Sequence, residues 1–197
     1  FATKIISANV IHHKNRKQQL YGAKIRRISM ISRHKGVLFR IINYLSFMIN
    51  STMYSMFCKK HNTDVIFVYE TSPVFQTLAA IVLKKRTKKK LVMYCCDLWP
   101  ESIKAWGIRE TSPVFKIVKS FSSWIYRKCD IIAVTSKPFK DYLEEVCGVN
   151  SERIEYLPQY AEDVYANISG SYTDNQCIDF MFAGNIGSVQ NIDCIVN

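Results

Sequence analysis

The stretch "LVMYCCDLWPES", residues 91 to 102, ends an apolar run with two carboxylates four residues apart, Asp97 and Glu101, with Trp99 and Pro100 between them. A carboxylate within hydrogen-bond reach of an attacking hydroxyl can take its proton, and an indole beside it offers a flat stacking surface. Two more polar sets follow apolar runs: Glu70, which precedes Thr71-Ser72-Pro73, and Thr135-Ser136-Lys137. Together they would supply hydroxyls, an aromatic surface and candidate bases to one side of a cleft. The local reading competes with this: Asp97 and Glu101 would cap a turn and a helix, with Pro100 in a first turn. A different chemistry is offered by "FMFAGNIGSVQN", 180 to 191, where an apolar run opens into Gly184-Asn185-Ile186-Gly187 ahead of a helix-like start. Glycines at such a place let backbone amides approach a phosphate. The spacing matches neither the dinucleotide G-x-G-x-x-G nor the P-loop, and the chain has no H-E-x-x-H, no G-x-S-x-G and no Cys/His metal cluster.

Ligands of open α/β sheets bind beyond the carboxyl ends of the strands, so these groups are useful only if the runs before them are neighbouring parallel strands. The runs are "DVIFVY" (64 to 69), "LVMYCC" (91 to 96), "DIIAVT" (130 to 135), "RIEYLP" (153 to 158) and "CIDFMFAG" (177 to 184). Their near-continuous apolar character predicts strands buried on both faces. Helical patterns separate them. Val114, Ile117, Val118, Phe121, Trp124 and Ile125 share one face, as do Phe139, Tyr142, Leu143 and Val146 before Gly148. The hexapeptide "ETSPVF" occurs at 70 to 75 and again at 110 to 115. In each copy the serine (Ser72, Ser112) suits an N-cap and the proline (Pro73, Pro113) the first helical position. Strands alternating with helices predict an α/β fold, a Rossmann-like parallel sheet flanked by helices.

Residues 37 to 57 form the most apolar helical segment, but Arg40, Asn43, Ser46 and Asn50 argue against a membrane span. Leu38, Ile41, Ile42, Leu45, Met48, Ile49, Met53 and Met56 make a core stripe, and Tyr44, Phe47 and Tyr54 a second, aromatic line. Burial of both lines by neighbouring elements is expected; the alternative is that the aromatic line meets lipid or a lipid-linked substrate. After Pro158 the composition turns polar. Residues 160 to 176 read as a linker between a domain at 1 to 159 and the beginning of a second at 177 to 197.

The 197 residues carry a formal charge of +11, with no Asp or Glu before Asp64 and a second basic run, "KKRTKKK", at 84 to 90. This suits an anionic partner, or simply a solvated basic face. The 48% hydrophobic content excludes a disordered chain. Seven cysteines without a CxxC pair suit reduced thiols in a cytosolic protein. Phe1 and the strand-like run before Asn197 give both ends the look of a piece of a longer protein.

In this order, "VIFVYETSP", "YCCDLWPES", "IYRKCDIIAVTSKPFKDYL", "IEYLPQYAE" and "FMFAGNIGSVQN" resemble the GT-B glycosyltransferases of family 4, and most of all the bacterial enzymes that build surface polysaccharide on lipid carriers. The resemblance covers nearly all of residues 25 to 197. It implies an N-terminal acceptor domain without its first strand and helix, then the first strand of a Rossmann-like donor domain. It implies transfer of a sugar from a nucleotide-sugar donor to a saccharide acceptor, here a lipid-linked one, with no cofactor and no bound metal. Asp97 then falls at the acceptor side of the reaction centre as the catalytic residue, with Glu70, Ser72, Trp99, Glu101 and Ser136 as acceptor-binding residues. Gly184, Asn185 and Gly187 match the loop that approaches the donor phosphates. Many relatives carry a histidine just before the aspartate. Cys96 stands there in this chain, and a thiol does not replace an imidazole as a base. The family's later donor-binding residues lie beyond Asn197, so this chain alone is expected to be inactive.

The basic charge adds an expected partner, the anionic inner face of the plasma membrane, in a cytoplasmic, peripheral protein. The alternative is a basic, non-catalytic module that binds nucleic acid or an anionic membrane surface. Nucleic acid is not the expected partner, because no RRM, helix-turn-helix or zinc-finger pattern is present.

Overall fold

The structure is a computed structural model and describes residues 4–8, 17–20, 22–32, 34, 36–59, 63–161, 163, 181, 182 and 194. The chain forms two compact units, Phe1–Pro158 and Gln159–Asn197. In the second, the predicted linker, the strand at 177 to 184 and the Gly184-Asn185-Ile186-Gly187 loop lie almost wholly outside the described residues.

The first unit opens with β1 (Lys4–Ala8), β2 (Lys17–Leu20) and β3 (Ala23–Ile28). β1 is parallel to β3, and β2 is antiparallel to it, with Gly22 at φ +81° just before β3. None of these strands shows an apolar run, which is why the sequence reading missed them. The positive φ of Gly22 fits the hairpin turn, where glycine carries no steric cost. Next come α1 (Val37–Phe57), β4 (Val65–Glu70), a 3₁₀ turn at Val74–Gln76, α2 (Thr77–Thr87), β5 (Lys90–Cys95), α3 (Glu101–Lys104), α4 (Pro113–Lys128), β6 (Ile131–Val134), α5 (Lys137–Glu145) and β7 (Ile154–Tyr156).

The last four strands form one parallel sheet in the order β4-β5-β6-β7, as the alternation of apolar runs and helices predicts. Its centre holds Leu91, Met93, Cys95, Ile132 and Val134, all fully buried, with Ile125, Phe115 and Leu143 packed from the helices. β4 departs from the expected two-sided burial. Val65, Phe67 and Tyr69 are exposed, because among the described residues β4 has a neighbour on one edge alone and is covered on one face. Val114 and Ile117 are likewise exposed at the start of α4, whereas Ile125 of the same predicted face is buried.

The core stripe expected of α1 is reversed. Leu38 (67%), Ile49 (50%) and Met53 (52%) lead a row of exposed apolar side chains, with Ile41, Leu45 and Met56, while the buried side chains are Asn43, Ser51, Thr52 and Ser55. In this buried row Asn43 is bonded, whereas Thr52 Oγ1 and Ser55 Oγ have no hydrogen-bond partner. Asn43 and Asn50 donate side-chain hydrogen bonds to the carbonyls of Ile31 and Ser29, and Ser46 Oγ accepts from the Ile31 amide at 2.9 Å. Small side chains also let α1 lie close on α2. The aromatic line is half-buried, with Tyr44 stacked on Trp106 at 6.3 Å and Arg26 over Tyr54 at 5.3 Å. Among the described residues no helix is long and apolar enough to cross a membrane.

Part of the 84–90 basic run is structural. Arg86 donates to the Ser55 and Cys58 carbonyls and so closes the C-terminus of α1. Lys84 reaches Asp130 at 2.8 Å and the Lys128 carbonyl at 2.7 Å. Lys85, Lys88, Lys89 and Lys90 line a cavity of about 400 Å³ with Ile81. This cavity lies at the N-terminal end of β5, the end opposite Asp97.

Asp130 also accepts the Leu91 amide at 2.8 Å, tying the start of β5 to the turn before β6. Burial opposes its charge, but Lys84, that amide and the Lys90 charge outweigh burial and hold its carboxyl below the usual aspartate range. Replacing Asp130 with Ala is therefore expected to cost about 1–3 kcal/mol in urea unfolding, from the lost Lys84 ion pair together with the stranded Leu91 amide. Asp130→Asn keeps an acceptor and should cost less than about 1 kcal/mol. Because the folded pKa is lowered, the stabilisation is present above the unfolded pKa and disappears as pH falls through the folded one. A pH-independent penalty for Asp130→Ala would contradict this.

Candidate active site

The site is built where the C-terminal ends of β4 and β5 meet. Glu70 ends β4 in register with Cys95, and the Cys96 amide donates to the Glu70 carbonyl at 2.8 Å. Beyond Cys95 the ladder stops and the chain turns through Asp97, Leu98, Trp99 and Pro100 into α3. Trp99 organises this turn. Its backbone amide donates to the Tyr126 hydroxyl at 3.1 Å, and its indole Nε1–H is shared between Ser72 Oγ and Asp97 Oδ2, each at 3.1 Å. Ser102 Oγ donates to Asp97 Oδ1. Asp97 is thus held by both oxygens while remaining half-exposed, a carboxylate aimed by its neighbours and still open to a ligand.

The structure brings together Glu70, Ser72, Asp97 and Trp99. The roles open to Trp99 and Glu70 differ from those expected. Trp99 is 2% exposed, with Phe75 at 5.2 Å and Trp106 at 5.9 Å between ring centres. It packs beneath the loop and has no free face for a sugar. Glu70 is fully buried, so its carboxyl cannot meet an acceptor either. Its Oε1 has no hydrogen-bond partner, and burial first, then the charge of Asp97, raises its pKa to about 8. Glu101 turns away to Lys104, which also holds Glu110 at 3.1 Å. Ser136 sits at the N-cap position of α5, beyond β6 at the same end of the sheet, and makes no side-chain capping bond.

The two copies of "ETSPVF" part company here. Ser112 caps α4 by accepting the Phe115 amide at 3.2 Å, as predicted. Ser72, at φ +145°, accepts the Trp99 indole N–H on its hydroxyl oxygen and caps nothing. Ser102 and Tyr126 were missed by sequence reasoning. Ser102 follows a turn aspartate closely enough to have been noticed, but a tyrosine inside an amphipathic helix carries no signal of its hydroxyl partner.

Burial leads the causes that raise the Cys96 thiol pKa, so it stays protonated beside Asp97 and is no substitute base. Cys95, wholly buried, is raised further by burial and by Glu70. The described cysteines are all free thiols. Among the described residues no group of three or more His, Cys, Asp or Glu side chains is arranged to hold a metal ion.

Such a site, a fixed and half-open carboxylate at the carboxyl ends of parallel strands, is a general one. Comparison with known families narrows it. No curated protein matches the chain. The family described as Glycosyltransferase Family 4 matches residues 11–159, well over half of the chain and nearly all of the first unit. With its helix-flanked parallel sheet of a Rossmann-like GT-B domain, the chain belongs to Glycosyltransferase Family 4.

Proposed function

We propose that this chain is the acceptor-side domain of a glycosyltransferase that moves a sugar from a nucleotide-sugar donor to a saccharide acceptor, lipid-linked and part of bacterial surface polysaccharide synthesis. The observation that carries this reading is Asp97, half-exposed and gripped through both oxygens at the strand ends. There it accepts the acceptor hydroxyl's proton, or orients that hydroxyl toward the donor's anomeric carbon. Ser72 and Ser136 are the remaining acceptor contacts on this edge, and Gly184, Asn185 and Gly187 are assigned to the donor phosphates. No metal is assigned a part. Titrating the chain with candidate saccharides should move backbone resonances around Asp97 and Ser136 and leave those of Lys85, Lys88 and Lys89 in place. Shifts confined to the lysine cavity would overturn the placement.

The membrane surface is the second partner. Its support is the exposed apolar row of α1 together with the basic first third of the chain. Apolar side chains flanked by lysine and arginine suit the boundary of an anionic bilayer, at about 1 kcal/mol per basic residue near the surface. Sedimentation with vesicles should show binding that rises with anionic lipid and falls with salt. Leu45→Ser with Ile49→Ser should weaken it with little change in stability, both side chains being exposed. Equal binding to neutral vesicles would count against an anionic surface, and tight, salt-resistant binding to a nucleic acid would favour the non-catalytic module.

A further inference from the structure

We propose that Glu70 is a positioning residue for Asp97: a buried carboxyl beneath the turn that holds the Asp97 backbone in place. The inference rests on the reading of Asp97 given above. Three contacts carry it. The Cys96 amide donates to the Glu70 carbonyl at 2.8 Å, tying the residue just before Asp97 to Glu70. The Cys95 thiol lies 3.7 Å from Glu70 Oε2 and 3.3 Å from the Asp97 carbonyl, linking the two residues a second time. Glu70 is fully buried, and its Oε1 faces no hydrogen-bond partner, the place where a proton can reside.

The surroundings explain why the proton stays. The titratable groups interacting with Glu70 are Cys95 and Asp97, with Cys96, Tyr126 and Cys129 also feeling its charge. None of them is a cation. Ionising Glu70 would place a second negative charge beneath Asp97 with nothing to balance it, in a region where water does not screen it. The Cys95 thiol favours the ionised carboxyl, but burial and the Asp97 charge outweigh it; once ionised, Glu70 would repel Asp97 and push the turn from its place. This follows the pKa of about 8, the pH at which that ionisation is half complete.

The sign of the stability effect is fixed by the same shift. Between the ordinary glutamate value and about 8 the unfolded chain has released its proton while the folded chain keeps it, so stability falls as pH rises through that window. Glu70→Gln preserves the shape and cannot ionise. Its melting temperature should therefore exceed that of the wild type by a margin that widens from pH 5 to pH 8.

Two readouts test the positioning role. On this chain, without substrates, the Trp99 indole N–H resonance should shift with pH near 8 in the wild type and stay still in Glu70→Gln, because that indole donates to Asp97. In the enzyme carrying its donor-binding half, kcat should fall about tenfold per pH unit above 8 in the wild type and be flat to pH 9.5 in Glu70→Gln. Glu70→Ala should lose activity at every pH. A Trp99 resonance that titrates identically in wild type and Glu70→Gln would overturn the proposal, as would an unchanged alkaline limb. If the Trp99 resonance behaves as expected but Asp97→Asn retains full turnover, it is the assignment of Asp97 that fails.

Discussion

Asp97→Asn is expected to lower kcat by about 10²- to 10⁴-fold in the enzyme carrying its donor-binding half, the usual contribution of a positioned base. Donor affinity should be nearly unchanged. The substitution is clean because the site accommodates an amide. The side-chain oxygen can still accept the Trp99 indole N–H, and the Ser102 hydroxyl can rotate to accept from the new NH₂ instead of donating. The loop is therefore preserved while the basicity is lost. Glu101→Gln is the control: its carboxylate is turned to Lys104, and its loss should change turnover little. Ser102→Ala removes one of the two grips on Asp97 and should fall between them. If Asp97→Asn kept most of its turnover while Glu101→Gln lost it, the wrong carboxylate would have been assigned. If neither mattered, the break after Cys96 would be a turn and nothing more.

The sheet was legible because a parallel strand buried between helices must be apolar at almost every position. β5 and β6 obey this, and their runs stand out. Asp97 was legible for a related reason, since a charge directly after such a run must lie at a strand's end. Three features resisted reading, each through the same kind of cause. The apolar row of α1 looked like core because periodicity identifies a face but not the side on which it packs. Asn43, buried and bonded to the Ile31 carbonyl, marks the side that packs, with Ser46 and Asn50 bonding the same segment from its rim. β1 to β3 lack an apolar run, so pairing rather than composition defines them. At Trp99 a ligand platform and a core side chain read alike, because both need an aromatic ring beside a carboxylate. Only the partners of its two N–H groups separate those roles, and one of them, Tyr126, lies 27 residues away.

That distinction can be measured. Trp99→Ala is expected to destabilise the first unit by about 3–5 kcal/mol, the usual cost of removing a buried aromatic side chain. The ring touches Phe75 and Trp106, so the cavity would open in the middle of an aromatic cluster that cannot readily close over it. Against a typical total of about 5–15 kcal/mol, such a loss leaves part of the population unfolded near body temperature. Trp99→Phe separates packing from hydrogen bonding. It keeps an aromatic ring at the site but removes the N–H that Ser72 and Asp97 share, one acceptor of which is charged. A hydrogen bond to a charged group contributes about 1.5–3 kcal/mol, so Trp99→Phe should fold, with a urea midpoint between those of the wild type and Trp99→Ala. Asp97 Oδ2 would be released from its fixed direction, and kcat should fall with acceptor KM little changed. A stacking platform predicts the opposite pattern: acceptor KM would rise sharply in Trp99→Ala, Trp99→Phe would largely restore it, and stability would hardly move. The two patterns share no outcome, so denaturation and acceptor kinetics on this pair of variants decide whether the indole binds sugar or aims the carboxylate.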